Sequence, residues 1–111
     1  MHEVKRTERD IDGTGVVTWK RNIHLCGVCA IEVEAGTNAH VKRSTKHEAS
    51  YIRIKPETKG FYLWTEDKVF KTDTTPINDV VLILDGGYER MAVIDGLKFI
   101  LQVLEEEGRE D

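Results

Sequence analysis

Two spacings of apolar residues dominate the last third of the chain. Val80-Val81-Leu82-Ile83-Leu84 is an unbroken apolar run between Asn78-Asp79 and Asp85-Gly86-Gly87, and a short run bounded by turn residues predicts a buried, central strand. Behind it Val93, Ile94, Leu97, Ile100, Leu101 and Leu104 recur at helical spacing and form one apolar stripe. Glu89 places a carboxylate near the start of that helix, and Gly108 can end it. Gly96 lies inside the pattern at a cost of about 1 kcal/mol against alanine. Either close packing explains it, or the helix begins only at Asp95 as its N-cap, with Tyr88 to Ile94 as a further strand.

Alternation with a period of two marks the rest. Val4 to Ile11 reads as a polar edge strand. Asp12-Gly13-Thr14-Gly15 is a hairpin turn, because glycine supplies the positive φ such turns require. Val16 to Lys20 returns, and Arg21-Asn22 breaks it. His24 to Glu34 is the next strand, apolar on one face of its second half and acidic (Glu32, Glu34) on the other. His40 to Ser50 has neither period and reads as a loop. Tyr51 to Lys55 is a strand stopped by Pro56. Phe61 to Thr65 and Val69 to Thr72 predict a hairpin around Glu66-Asp67-Lys68. The sum is a single α+β domain over residues 1–111: an antiparallel sheet of about five to seven strands covered by one C-terminal amphipathic helix. One helix leaves sheet surface uncovered, so a homo-oligomer is expected.

Charge narrows the classes of function. The net charge is −4, which argues against a dedicated duplex-DNA binder. No apolar run reaches the roughly 20 residues of a membrane span, and Met1 to Arg6 offers no apolar core for a signal peptide. Two cysteines do not make a disulfide framework, so a reducing, cytoplasmic setting is expected.

Against this acidic background one segment is basic. Residues 40 to 55 hold Lys42, Arg43, Lys46, Arg53 and Lys55 with one acid, Glu48. Such a loop can hold a phosphate or nucleotide through charge-assisted hydrogen bonds, or it can be a solvated loop with no ligand. On the first reading Lys42, Arg43, Lys46, His47 and Arg53 contact phosphate, and Tyr51 or Trp64 stacks on a base. Cys26-Gly-Val-Cys29 could grip zinc with His40 and His47, but the spacing fits no common zinc pattern, and buried thiols are the simpler reading. No cofactor is expected. No nucleophile, base and orienting group can be paired from spacing. A small nuclease or phosphodiesterase using His40 or His47 ranks below a non-catalytic binder.

Three pieces in order, Ile31-Glu-Val-Glu-Ala-Gly-Thr37-Asn38, Tyr51-Ile-Arg53-Ile54 and the helix from Gly87 to Glu107, make the chain resemble a group of small uncharacterised phage and prophage accessory proteins. The group has a glycine-rich loop where Val41 to Ala49 here is basic. The resemblance implies a protein that counters host defence from the host cytoplasm. Its partner would be a small nucleotide-like ligand, sequestered without catalysis, or a host defence protein. In the second case it would inhibit an effector such as a CRISPR nuclease, with Glu32, Glu34 and the acidic tail meeting a basic surface.

Overall fold

In the computed structural model, residues 3–25, 27–40, 47–58, 60–61, 63–64, 69–70 and 79–109 are described. The strands are β1 (Lys5–Ile11), β2 (Thr14–Leu25), β3 (Cys29–Thr37), β4 (Ala49–Pro56), β5 (Leu63–Trp64), β6 (Val69–Phe70) and β7 (Val80–Asp85), and the helix is α1 (Gly87–Glu107). Five strands form one antiparallel sheet in the order β1-β2-β3-β4-β7, while β5 and β6 pair separately as the predicted hairpin. The fold is α+β, with the helix packed against one face of an open sheet.

Local chemistry sets the turns. Asp12 and Gly13 take φ of 49° and 82°, the two positive values of a two-residue hairpin whose twist suits the strands. Gly13 N–H donates to Asp10 Oδ1 at 2.8 Å. The next turn corrects the sequence reading. β2 runs straight through Arg21 and Asn22, which pair with Val33 and Glu32, because cross-strand pairing outweighs their weak strand preference. The chain reverses instead after Leu25. Gly27 adopts φ 68°, and Val28 N–H donates to Leu25 O at 3.1 Å.

Residues directly opposite one another share a face, so the register defines two unlike surfaces. Lys5, Lys20, Glu34, Arg53 and Val81 stand in one row across the five strands. Arg6, Trp19, Ala35, Ile52 and Leu82 stand in a row on the other face. The first face is polar. It also holds most of what is buried: Val16, Thr18, Ala30, Glu34, Ala49 and Tyr51. The second face is apolar, and α1 crosses one corner of it. There Leu84 is buried, and Ala35, Ile52 and Leu84 with Val93, Ile94 and Leu97 of α1 line an open cleft of 360 Å³.

One expectation for the C-terminal elements changes. The apolar run Val80–Leu84 is an edge strand, bonded among the described residues only to β4, although its composition suits a strand covered on both sides. The helix begins at Gly87, as the apolar stripe and Glu89 predict, and not at the alternative Asp95; Gly86 is its N-cap and makes no side-chain cap hydrogen bond. Its predicted stripe faces the cleft only over its first half, and no residue of α1 is fully buried. The radius of gyration is 16.1 Å, where a closed domain of this length has about 13 Å. No helix among the described residues is long and apolar enough to cross a membrane.

Candidate functional site

The polar face is organised around one carboxylate. Glu34 sits mid-strand in β3 and is 2% exposed. Burying a charge is costly unless it is paired and hydrogen-bonded, and Glu34 is both. Arg9 reaches across from β1 and donates twice, Nη2 to Oε1 at 2.6 Å and Nε to Oε2 at 2.8 Å. Thr18 Oγ1 donates to Oε2 at 2.5 Å, and Arg53 Nη1 approaches Oε1 at 3.4 Å. The hydrogen bonds from Arg9, opposed by burial and helped by Thr18, hold the carboxyl down at a pKa of about 2. Arg53 is itself shared out. Its Nε donates to Asp79 Oδ2 at 2.5 Å and its Nη1 to Glu32 Oε1 at 2.8 Å. Asp79, hydrogen-bonded by Arg53, is lowered in turn. The Arg9 guanidinium lies 5.1 Å from the Tyr51 ring centre, within cation–π range.

A second cluster forms the base of the basic segment. Thr37 ends β3 with Asn38 just beyond it, and Ala49-Ser50 opens β4. Asn38 N–H donates to Ala49 O at 3.2 Å, and Ala49 N–H donates back to Asn38 Oδ1 at 2.8 Å. Asn38 Nδ2 also donates to His47 O at 2.8 Å. Ser50 Oγ and Ala39 N–H both reach Thr37 Oγ1, at 2.9 and 3.1 Å. An amide both donates and accepts, so the buried Asn38 clamps the two ends of the segment together. Outside the clamp, His47 Nε2 lies against Asp85 Oδ1 at the end of β7. Arg90, in the first turn of α1, donates from Nε to Glu48 Oε2 at 2.9 Å. The neck is thus tied to the sheet, the strand end and the helix start. Beside it Ile11, Asp12, Thr14, His47, Ala49 and Asp85 line a hollow of 310 Å³.

The residues predicted to hold phosphate fall in three places. Lys42, Arg43 and Lys46 lie outside the described residues, as does the side chain of Trp64. His47 is exposed at the neck. Tyr51 is buried on the polar face and Arg53 is engaged by three carboxylates. The described structure therefore does not bring Tyr51 and Arg53 into an open anion site with His47. Sequence reasoning missed Arg9 and the clamping role of Asn38. The partners Arg9 and Glu34 are 25 residues apart, and only the strand register joins them. Asn38 had a local signal, since an Asx residue just past a strand commonly bonds nearby backbone.

With a pKa of about 2 the Glu34 carboxylate is a poor proton acceptor at neutral pH. Among the described residues no group of three His, Cys, Asp or Glu side chains is arranged to hold a metal ion. Cys29 is half-buried at the start of β3, and Cys26 lies outside the described residues. Compared with known protein families, curated proteins and solved structures, the chain matches none.

Proposed function

We propose that this chain is a non-catalytic, homo-oligomeric binding protein that captures a small phosphate-bearing ligand, such as a nucleotide, on the segment from His40 to His47. The observation that supports this reading is the clamp at Asn38. It fixes both ends of a segment whose sequence carries Lys42, Arg43 and Lys46, and a fixed frame lowers the ordering cost of binding. Elsewhere among the described residues Arg9, Arg53 and Arg90 are held by carboxylates, so their charge is already matched within the fold. Tyr51 and Arg53 are accordingly left out of the contact set, which reduces to Lys42, Arg43, Lys46, Trp64 and His47, the last of these already facing Asp85. In the setting the phage resemblance implies, capture of a nucleotide signal in the host cytoplasm would counter host defence. The alternative, an inhibitor that presents an acidic strand face to a defence effector, has less support. Glu34 is buried and Glu32 is bound to Arg53, which leaves the helix end as the acidic surface.

A thermal-shift screen against cyclic and linear nucleotides tests the proposal. A ligand at 100 times its Kd stabilises the folded state by about 2.7 kcal/mol. The triple variant Lys42→Ala, Arg43→Ala, Lys46→Ala should lose that shift and keep the ligand-free melting temperature. If no nucleotide raises the melting temperature of the parent chain, the reading fails.

A further inference from the structure

The two ends of the basic segment open onto opposite faces of the sheet, and the hollows beside them differ in charge. His47, where the segment returns, lines the hollow on the polar face together with Asp12 and Asp85. Two carboxylates there repel an anion. His40, where the segment departs, lines a second hollow, of 380 Å³, on the apolar face with Arg6, Val17, Trp19, Gly36 and Thr37. Its described lining holds two side chains that can carry positive charge and no carboxylate. The strand register assembles it. Trp19 of β2 stands directly opposite Arg6 of β1, and Trp19 is 53% exposed. An open indole beside a cation is a surface on which a base can stack. Arg6 is not spent as Arg9 and Arg53 are. It meets Glu8 at 3.5 Å with both side chains more than half exposed, and such a pair contributes little and separates readily. Thr37 is a wall and not a donor, because its Oγ1 already receives Ala39 N–H and the Ser50 hydroxyl.

We infer that this hollow is the base subsite of a nucleotide: the base stacks on Trp19, and Arg6 and His40 donate to the phosphate-bearing end. This rests on the ligand reading above and places the base, which that reading left to Trp64. The direction of the ligand follows from the surroundings. Through Gly36 and Thr37 the hollow adjoins the apolar cleft beneath α1. Arg6 stands on β1, at the opposite edge of the sheet from β7, and His40 leads into Lys42 and Arg43. A ligand flat and aromatic at one end and anionic at the other uses all of these groups. A purely apolar ligand would cover Arg6 and His40 with nothing they can bond, and phosphate alone would leave the indole open.

Isothermal titration of the full chain tests this, with adenosine and guanosine monophosphates in linear and cyclic form as probes and ribose phosphate as the base-free control. Trp19→Ala should lower nucleotide affinity about tenfold and leave that for ribose phosphate unchanged. Trp19→Phe, which keeps a stacking ring, should recover most of the loss. Arg6→Gln should weaken nucleotides and ribose phosphate alike, since it removes a charged donor. A second measurement covers the case in which Trp19→Ala fails to fold. Nucleotide should quench the tryptophan emission of the parent chain, and Trp64→Phe should retain that quenching. Equal nucleotide affinity in Trp19→Ala and the parent overturns the inference, and so does quenching that disappears with Trp64→Phe. Either result leaves the ligand reading standing where binding still requires Lys42, Arg43 and Lys46. Nucleotide binding that survives loss of those three cations but not Trp19→Ala retains this site and removes the segment. Absence of binding by every probe overturns both.

Discussion

The two faces of the sheet are built to opposite standards. On the polar face Glu34, Glu32 and Asp79 meet Arg9 and Arg53 in a closed network, and no buried side-chain nitrogen or oxygen among the described residues lacks a partner. On the apolar face Trp19, Ile54, Val80 and Leu82 stay open to solvent, and α1 buries none of its own residues completely. Among the described residues the polar groups of one region are matched, while the other keeps apolar surface exposed. Polar groups must be satisfied residue by residue, because each unpaired one has its own desolvation cost. Apolar surface has no such bookkeeping and can wait for a partner, since its cost grows only with area. The network fixes the register of β1 to β4.

The largest expected effect breaks the closed side. Glu34→Gln removes the charge that Arg9 and Arg53 share and leaves both guanidinium groups facing a neutral amide. Breaking a buried pair from one side costs about 3–5 kcal/mol; Arg9 is one-third exposed, so about 3 kcal/mol is expected. Chemical denaturation should show it as a lower midpoint at unchanged slope. A loss below about 1 kcal/mol would mean that the network does not organise this face.

Acid should reach the same carboxylate without mutation. Its folded pKa of about 2 lies below the 4.3 of an unfolded glutamate. The stabilisation is therefore complete above about pH 4.5 and is lost as the pH falls through the folded value, a contribution of about 3 kcal/mol. Asp79, also lowered by Arg53, adds a smaller loss in the same direction because it is more exposed. Denaturation followed from pH 5 to pH 2 should show this slope in the parent chain, and Glu34→Gln should flatten it. Equal slopes in both would assign acid sensitivity to other groups.

How far the sequence foretold this arrangement depends on whether a signal is local. Asp12-Gly13 announced its turn because its positive φ values belong to those two residues alone. The helix from Gly87 was legible from its period and the strand at Val80 from its unbroken apolar run between turn residues. Their environment was not. Val80–Leu84 reads as a central strand because composition reports how apolar a position is and not whether the same chain covers it. The break predicted at Arg21-Asn22 failed for a related reason: pairing with Val33 and Glu32 outweighs local preference. The basic segment was legible as charge. That Arg53 belongs to Glu32, Glu34 and Asp79 instead depended on a register that no local pattern encodes. Tyr51, a proposed stacking surface, is spent in the same way against Arg9.

Two glycines bring the comparison to its smallest scale. A Cβ at Gly36 would stand 2.7 Å from Thr18 Cα and would also meet Val17 O. The obstacle is backbone of β2, which cannot rotate aside, so Gly36→Ala should cost about 1–3 kcal/mol. Gly96 is the reverse case, with nothing within 4 Å among the described residues. In an isolated helix Gly96→Ala would stabilise by up to about 1 kcal/mol. The expected result is a higher melting temperature; a lower one would mean that a neighbour occupies the space beside Gly96. Gly36→Ala, acting within one chain, should lower the melting temperature without changing how it depends on concentration beyond the parent's own trend.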